Sequence, residues 1–157
     1  LSLGAKRLFC DKSNPNCLDK VHIKTLSTNR QNLDEQPTKE NFRKAFAEIA
    51  QKAKPEDIIV VYLSGHGVTL GTGTDTYFYL TKEARSAAKS SLEANFQTVA
   101  ISNEELTDWL TPNQEKADDI WVKAQKRVLI LDTCAAGNFA QKEQWRTDRD
   151  LSGDQIR

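Results

Sequence analysis

The chain has 157 residues, of which 38% are hydrophobic and 28% charged, and this size and balance are typical of one globular domain. Its 22 basic residues cancel its 22 acidic residues, so no overall field attracts the protein to nucleic acid or anionic lipid, and we predict neither as a partner. The longest apolar run, Ile58–Leu63, is far shorter than the roughly twenty residues that cross a bilayer. We therefore predict no membrane span and no signal peptide.

Three cysteines are an odd number and do not form a disulfide framework, which favours a reducing compartment, and we expect the cytoplasm. Cys10 and Cys17 stand near His22, but zinc sites usually contain two close pairs of ligands, and a second pair does not follow. We interpret these cysteines as ordinary packed or exposed thiols and predict no metal site there.

The first third of the chain predicts a helical fragment, a loop, a strand and a helix. LSLGAKRLF has the pattern of a helix end, and DKSNPNC that of a loop. Val21–Ser27 alternates apolar and polar residues with a β-branched bias, which predicts a half-buried strand. From Thr38 apolar residues recur at helical spacing until Pro55, which predicts an amphipathic helix of about four turns with Thr38 as its N-cap.

Two segments, Asp57–Ser64 and Arg127–Thr133, are apolar on both alternations and rich in β-branched residues. This pattern is expected of parallel strands that are covered on both faces. A strand, a helix and a second strand in this order predict an α/β fold with a mostly parallel sheet and crossover helices.

Between these two strands the chain carries weaker signals. Residues 67–76 predict a glycine-rich loop, and Tyr77–Leu80 predicts a short aromatic strand. A polar excursion follows, and then a helix whose capping box is formed by Ser102 and Glu105 and which ends at Pro112.

The end of the chain differs in composition from the rest. We assign residues 1–140 to the domain, because residues 141–157 are almost wholly polar. Such a segment cannot bury enough apolar surface to hold itself in place, so we predict a mobile linker that is open to proteases.

Chemically active side chains follow both apolar strands, in the segments Ser64-Gly65-His66-Gly67 and Asp132-Thr133-Cys134. The carboxyl ends of parallel strands lie along one edge, where open α/β sheets build their sites. Neighbouring strands are about 4.8 Å apart, so we expect His66 and Cys134 to share a crevice and to reach one substrate bond.

A cysteine attacks as the thiolate, and an imidazole that titrates near neutrality favours that form and can protonate a leaving amine. We therefore predict Cys134 as the nucleophile and His66 as its acid–base partner, with the amides of Gly67 and Cys134 as candidates for an oxyanion hole. Asp132 adds an acid at the mouth of the crevice. Taken singly, each side chain also fits a structural role, as a packed cysteine, a hydrogen-bonded histidine or a turn carboxylate. The presence of both Cys134 and His66 at the ends of the two apolar strands favours catalysis.

The segments VVYLSGHG and VLILDTCAAG resemble the two signature blocks of the caspase-like cysteine peptidases, and Asp-x-Cys-x-x-Gly is similar to the form in metacaspases and prokaryotic orthocaspases. The resemblance extends over about residues 21–139. It implies an α/β, caspase-like three-layer sandwich that corresponds to the large, p20-like subunit, with helices on both faces of a mostly parallel sheet. The family's first strand and its small-subunit strands are missing from this chain, so the implied partners include N-terminal and small-subunit-like segments of the same precursor.

The resemblance also implies roles. Cys134 and His66 become the catalytic dyad, Gly67 and Cys134 the oxyanion hole, and Asp132 with Ser64 the pocket for the side chain before the cut bond. The implied activity is that of a cysteine endopeptidase that cuts proteins and peptides after Arg or Lys, since a partly desolvated carboxylate prefers a cation.

The implied enzyme is a zymogen that is activated by autocatalytic cleavage, and we take Arg157 as a processing site. Many metacaspases bind calcium through acids after the histidine and after the cysteine. Asp75, Asp118 and Asp119 are present, but AAGNFAQKEQ after Cys134 contains no aspartate, so we predict neither a metal nor another cofactor. Two other classes stay open, a catalytically idle caspase-like scaffold and a different thiol hydrolase or acyl transferase.

Overall fold

The computed structural model describes residues 21–70, 76–85, 94–111 and 120–136. Within these ranges the elements are α1 (Lys39–Lys52), β1 (Ile58–Gly65), β2 (Gly67–Leu70), β3 (Thr76–Leu80), α2 (Phe96–Val99), β4 (Ala100–Ser102), α3 (Asn103–Leu110) and β5 (Lys126–Thr133), preceded by a short 3-10 turn at Leu33–Glu35. The predicted N-terminal helical fragment, the loop with Cys10 and Cys17, and the predicted linker 141–157 lie outside the described residues. None of the helices in the described ranges is both long enough and apolar enough to cross a membrane.

The two apolar strands form a parallel pair. β1 and β5 are each eight residues long and pair along their whole length, from Ile58 opposite Lys126 to Gly65 opposite Thr133. Parallel neighbours need a crossover connection, which the chain between them supplies. The predicted α/β architecture is confirmed, and both strands end at the same edge of the sheet.

A second, antiparallel sheet has the strand order β2-β3-β4. The sequence predicted a loop over residues 67–76, and this prediction is wrong for Gly67–Leu70, which forms β2. Leu70 packs with Phe78 and Ala100 in a small apolar cluster, and burial of these side chains favours a strand.

The main core lies on one face of the parallel pair. Helix α1 contributes Phe42 and Phe46, helix α3 contributes Leu106, Trp109 and Leu110, and β1 contributes Ile59 and Leu63. The rings of Phe46 and Trp109 are 5.0 Å apart, a distance at which aromatic pairs attract beyond the gain from burial. This contact ties α1 to α3.

The opposite face of the parallel pair, which we call the outer face, is open in the part of the chain that the structure describes. Its large apolar side chains are between 42 and 48% exposed: Ile58, Val60, Tyr62, Val128 and Ile130. The predicted burial on both faces is thus seen on one face among the described residues. Because successive strand side chains alternate, Ser64 and Asp132 lie on the outer face as well.

Both predicted helix starts are confirmed. The Thr38 hydroxyl accepts a hydrogen bond from the Asn41 amide at 3.2 Å, and Ser102 and Glu105 form the predicted capping box of α3. These caps satisfy amides that have no partner within the helix.

The predicted strand Val21–Ser27 is not a strand. Burial in this segment does not follow the alternation of the sequence, because Ile23 is exposed while Leu26 packs against the core and Lys24 forms an ion pair with Glu48 of α1 at 2.8 Å. A strand also needs a ladder partner, and no strand of the described ranges pairs with this segment.

Candidate active site

The structure brings the two predicted catalytic residues to neighbouring positions. Ser64 lies opposite Asp132 and Gly65 opposite Thr133 in the parallel ladder, so His66 and Cys134 are the next residues beyond the ladder on the two strands. Both side chains are exposed, and Cys134 is a free thiol. Neither side chain makes a hydrogen bond in the described part of the chain.

Gly67 packs directly against the main chain of Cys134. A Cβ atom on Gly67 would overlap the Cys134 carbonyl oxygen, and it would lie 2.7 Å from the Tyr77 ring and 2.9 Å from the Thr133 hydroxyl. Only glycine fits at this position, as at other close approaches of two backbones. The two segments that the sequence singled out are therefore in direct contact.

The backbone around His66 links the two sheets. Gly65, the last residue of β1, has a φ of 157°, which L side chains rarely adopt. On the other side of His66 the chain enters β2, and the amide of Leu80 donates a hydrogen bond to the His66 carbonyl at 2.8 Å. The position of His66 is thus set by glycine on one side and by β3 on the other.

Two tyrosines of β3 bind the strand ends. The Tyr79 hydroxyl donates to the Ser64 carbonyl at 3.1 Å, and the Tyr77 hydroxyl shares a hydrogen bond of 2.8 Å with the Thr133 hydroxyl. Burial raises the pKa of both phenols, and the neighbouring Tyr77 raises the pKa of Tyr79 further, so both stay protonated at neutral pH. Each tyrosine fixes the end of one parallel strand.

Sequence reasoning missed these two tyrosines, which it assigned only to an aromatic strand. The usable signal was the Tyr-x-Tyr spacing, since residues two apart in a strand point to the same face. What the spacing could not provide was the partner of each hydroxyl.

The two predicted pocket residues, Asp132 and Ser64, are also brought together. The Ser64 hydroxyl donates to the Asp132 Oδ2 at 3.3 Å, and the Tyr62 hydroxyl donates to the same oxygen at 2.8 Å. The Asp132 side chain is exposed. Tyr62 stands two residues before Ser64 on the outer face, and this spacing was the signal that could have added it to the predicted site.

The residue after Cys134 has a left-handed backbone. Ala135 has a φ of 59°, a conformation that costs a non-glycine residue about 1–2 kcal/mol. The chain therefore turns sharply where β5 ends, and Cys134 stands at the tip of this turn. Gly137, the glycine of the Asp-x-Cys-x-x-Gly segment, lies outside the described residues.

In the four described ranges, no group of three or more His, Cys, Asp or Glu side chains is placed to hold a metal ion. Asp75, Asp118 and Asp119 lie outside these ranges, and so does most of the segment after Cys134. The predicted absence of a calcium site therefore stays a prediction. Arg157 also lies outside the described residues.

A family model described as metacaspase, peptidase C14 domain, matches residues 5–141 of the chain. This range includes both strands and both strand-end segments that build the candidate site. A search of the curated proteins finds no match.

Proposed function

We infer that this chain is a cysteine-type peptidase, because it belongs to the metacaspase, peptidase C14 family. We propose that it cuts proteins after Arg or Lys with a Cys134–His66 dyad. The observation that carries this proposal is the contact of Gly67 with the Cys134 main chain, together with the ladder register that sets His66 beside Cys134. Nucleophile and acid–base partner must lie within reach of one bond, and the register of the two strand ends supports this pairing.

The proposed reaction has two steps. The Cys134 thiolate attacks the carbonyl carbon before the cut bond, and the amides of Gly67 and Cys134 bind the oxyanion that forms. The C–N bond then breaks as the protonated His66 gives its proton to the leaving amine. Water attacks the thioester with His66 as the base, which releases the new carboxyl end and restores the thiol.

The proposed pocket for Arg or Lys rests on the charge of Asp132. Two hydroxyl groups orient this carboxylate, and no Lys or Arg of the described ranges forms an ion pair with it. An exposed carboxylate without a protein cation favours a cationic ligand. Ser64 contributes by its position opposite Asp132.

The test is a peptide library that varies the residue before the cut bond, read with added calcium and with a chelator. We expect cleavage after Arg and Lys only, at the same rate under both conditions. Cleavage after Asp, or after neutral residues at equal rates, would remove Asp132 from the pocket.

Activation of a larger precursor by self-cleavage is part of the same proposal, with Arg157 as the candidate site because its side chain matches the proposed pocket. The N-terminal and small-subunit-like segments would be partners from the same precursor, and a cytoplasmic location stays a prediction. We expect intact-mass analysis to detect the break after Arg157 in the wild-type precursor and not in Cys134→Ala. A break that persists in Cys134→Ala would show that another protease makes it.

A further inference from the structure

The two oxygens of the Asp132 carboxylate are not equivalent. The hydroxyls of Tyr62 and Ser64 both donate to Oδ2, at 2.8 and 3.3 Å. A carboxylate oxygen accepts about two hydrogen bonds, so these two hydroxyls fill Oδ2. No group of the described ranges donates to Oδ1, which leaves one oxygen for a ligand.

Arginine and lysine differ in the hydrogen bonds that they form with a carboxylate. The planar guanidinium gains most from two parallel hydrogen bonds, one to each oxygen. The ammonium of lysine is a compact charge that a single oxygen can satisfy. With Oδ2 filled, an arginine side chain can complete its two-point contact only by displacing one of the hydroxyls.

We propose that Tyr62 is a specificity-determining residue of the proposed pocket: its hydroxyl occupies Oδ2 of Asp132 and thereby removes the advantage that arginine would otherwise have over lysine. The inference rests on the proposed function, and it adds that the enzyme accepts both cations at comparable rates. Tyr62 matters more than Ser64 here because its hydrogen bond is 0.5 Å shorter, as the two distances of 2.8 and 3.3 Å show.

The position of Tyr62 fits this role. Tyr62 lies opposite Ile130 on the outer face, where Asp132 also lies, and it is 48% exposed. The variant Tyr62→Phe keeps the ring and its packing and removes the hydroxyl alone. Tyr77→Phe is the matched control, because it removes a phenol hydroxyl that binds Thr133 and does not touch Asp132.

The experiment measures kcat and KM on two peptides that differ only in Arg or Lys before the cut bond, for the wild type, Tyr62→Phe and Tyr77→Phe. We expect the Arg-to-Lys ratio of kcat/KM to rise about tenfold in Tyr62→Phe, the effect of one additional charge-assisted hydrogen bond. The gain should come from a lower KM for the Arg peptide, and the ratio in Tyr77→Phe should equal that of the wild type.

An Arg-to-Lys ratio in Tyr62→Phe within twofold of the wild type would overturn the inference and leave the proposed function in place. An equal rise in Tyr77→Phe would overturn it too, because the effect would then be general loosening of the site. If the wild type cuts neither peptide, the proposed function itself fails and the inference falls with it.

Discussion

Gly67→Ala should lower kcat/KM for peptide hydrolysis by about a hundredfold and lower the free energy of unfolding by about 1–3 kcal/mol, as overpacking of a close contact does. The added Cβ would meet the carbonyl of Cys134 and the ring of Tyr77. One is main chain and the other a buried side chain, so neither can move aside as a flexible side-chain end would. The nucleophile segment would have to shift, and a displacement of about 1 Å at a catalytic group costs around a hundredfold in rate.

The measurement combines denaturant unfolding with kcat/KM on an Arg peptide. Thr69→Ala is the control, because Thr69 lies two residues further along β2 and is only half-buried. We expect this variant to keep activity within a few-fold of the wild type. Full activity in Gly67→Ala would show that the contact with Cys134 does not position the nucleophile.

Replacing Asp132 by asparagine should reduce kcat/KM on Arg and Lys peptides by about a hundredfold, the value of a charge-assisted hydrogen bond and the charge behind it. Asparagine keeps the shape and one oxygen that can accept from Tyr62 and Ser64, so the strand ends should stay in place. The reaction of the Cys134 thiol with a small neutral alkylating agent should remain within about threefold of the wild type, because that reagent makes no use of the pocket.

The control for this substitution is Asp57→Asn at the opposite end of β1. The Asp57 carboxylate accepts a hydrogen bond from the Lys54 amide in a local turn and has no part in the site. We expect Asp57→Asn to cut the Arg and Lys peptides at the wild-type rate. Unchanged turnover of Arg and Lys peptides by Asp132→Asn would mean that another group selects the substrate.

The parts of the fold that follow from local pattern were predicted from the sequence. The two apolar, β-branched segments predicted the strands that pair in parallel. Because the carboxyl ends of parallel strands lie along one edge of the sheet, the sequence also predicted that His66 and Cys134 lie close together. Thr38 and Ser102 gave the helix starts, since a cap is recognised by its own residue type and its spacing. Each of these predictions depends either on residues that are close in sequence or on the general rule that parallel strands end at the same edge of a sheet.

What could not be predicted depends on contacts between distant segments. Nothing in Tyr77 or Tyr79 indicates that their hydroxyls bind the ends of β5 and β1, and nothing in the alternation of Val21–Ser27 shows that it pairs with no strand of the described ranges. The left-handed turn at Ala135 is equally hidden, because alanine normally avoids that conformation.

The outer face contains one feature that the sequence predicts and one that it does not. Alternation places Tyr62, Ser64 and Asp132 on the same side of the sheet, which a reader of the sequence could derive. That two hydroxyls converge on one oxygen of Asp132 follows only from side-chain geometry. Because the other oxygen of Asp132, Oδ1, accepts no hydrogen bond from the described residues, this arrangement bears on the choice between arginine and lysine.

We propose that Cys134 is the nucleophile of a peptidase that recognises a basic side chain. The most direct test of this proposal is labelling with an electrophilic peptide that ends in arginine, followed by peptide mapping of the wild type, His66→Ala and Cys134→Ala. We expect a single adduct on Cys134 in the wild type, much slower labelling in His66→Ala, and no adduct in Cys134→Ala. An adduct that persists in Cys134→Ala, or a wild-type Cys134 that stays unlabelled, would contradict this account.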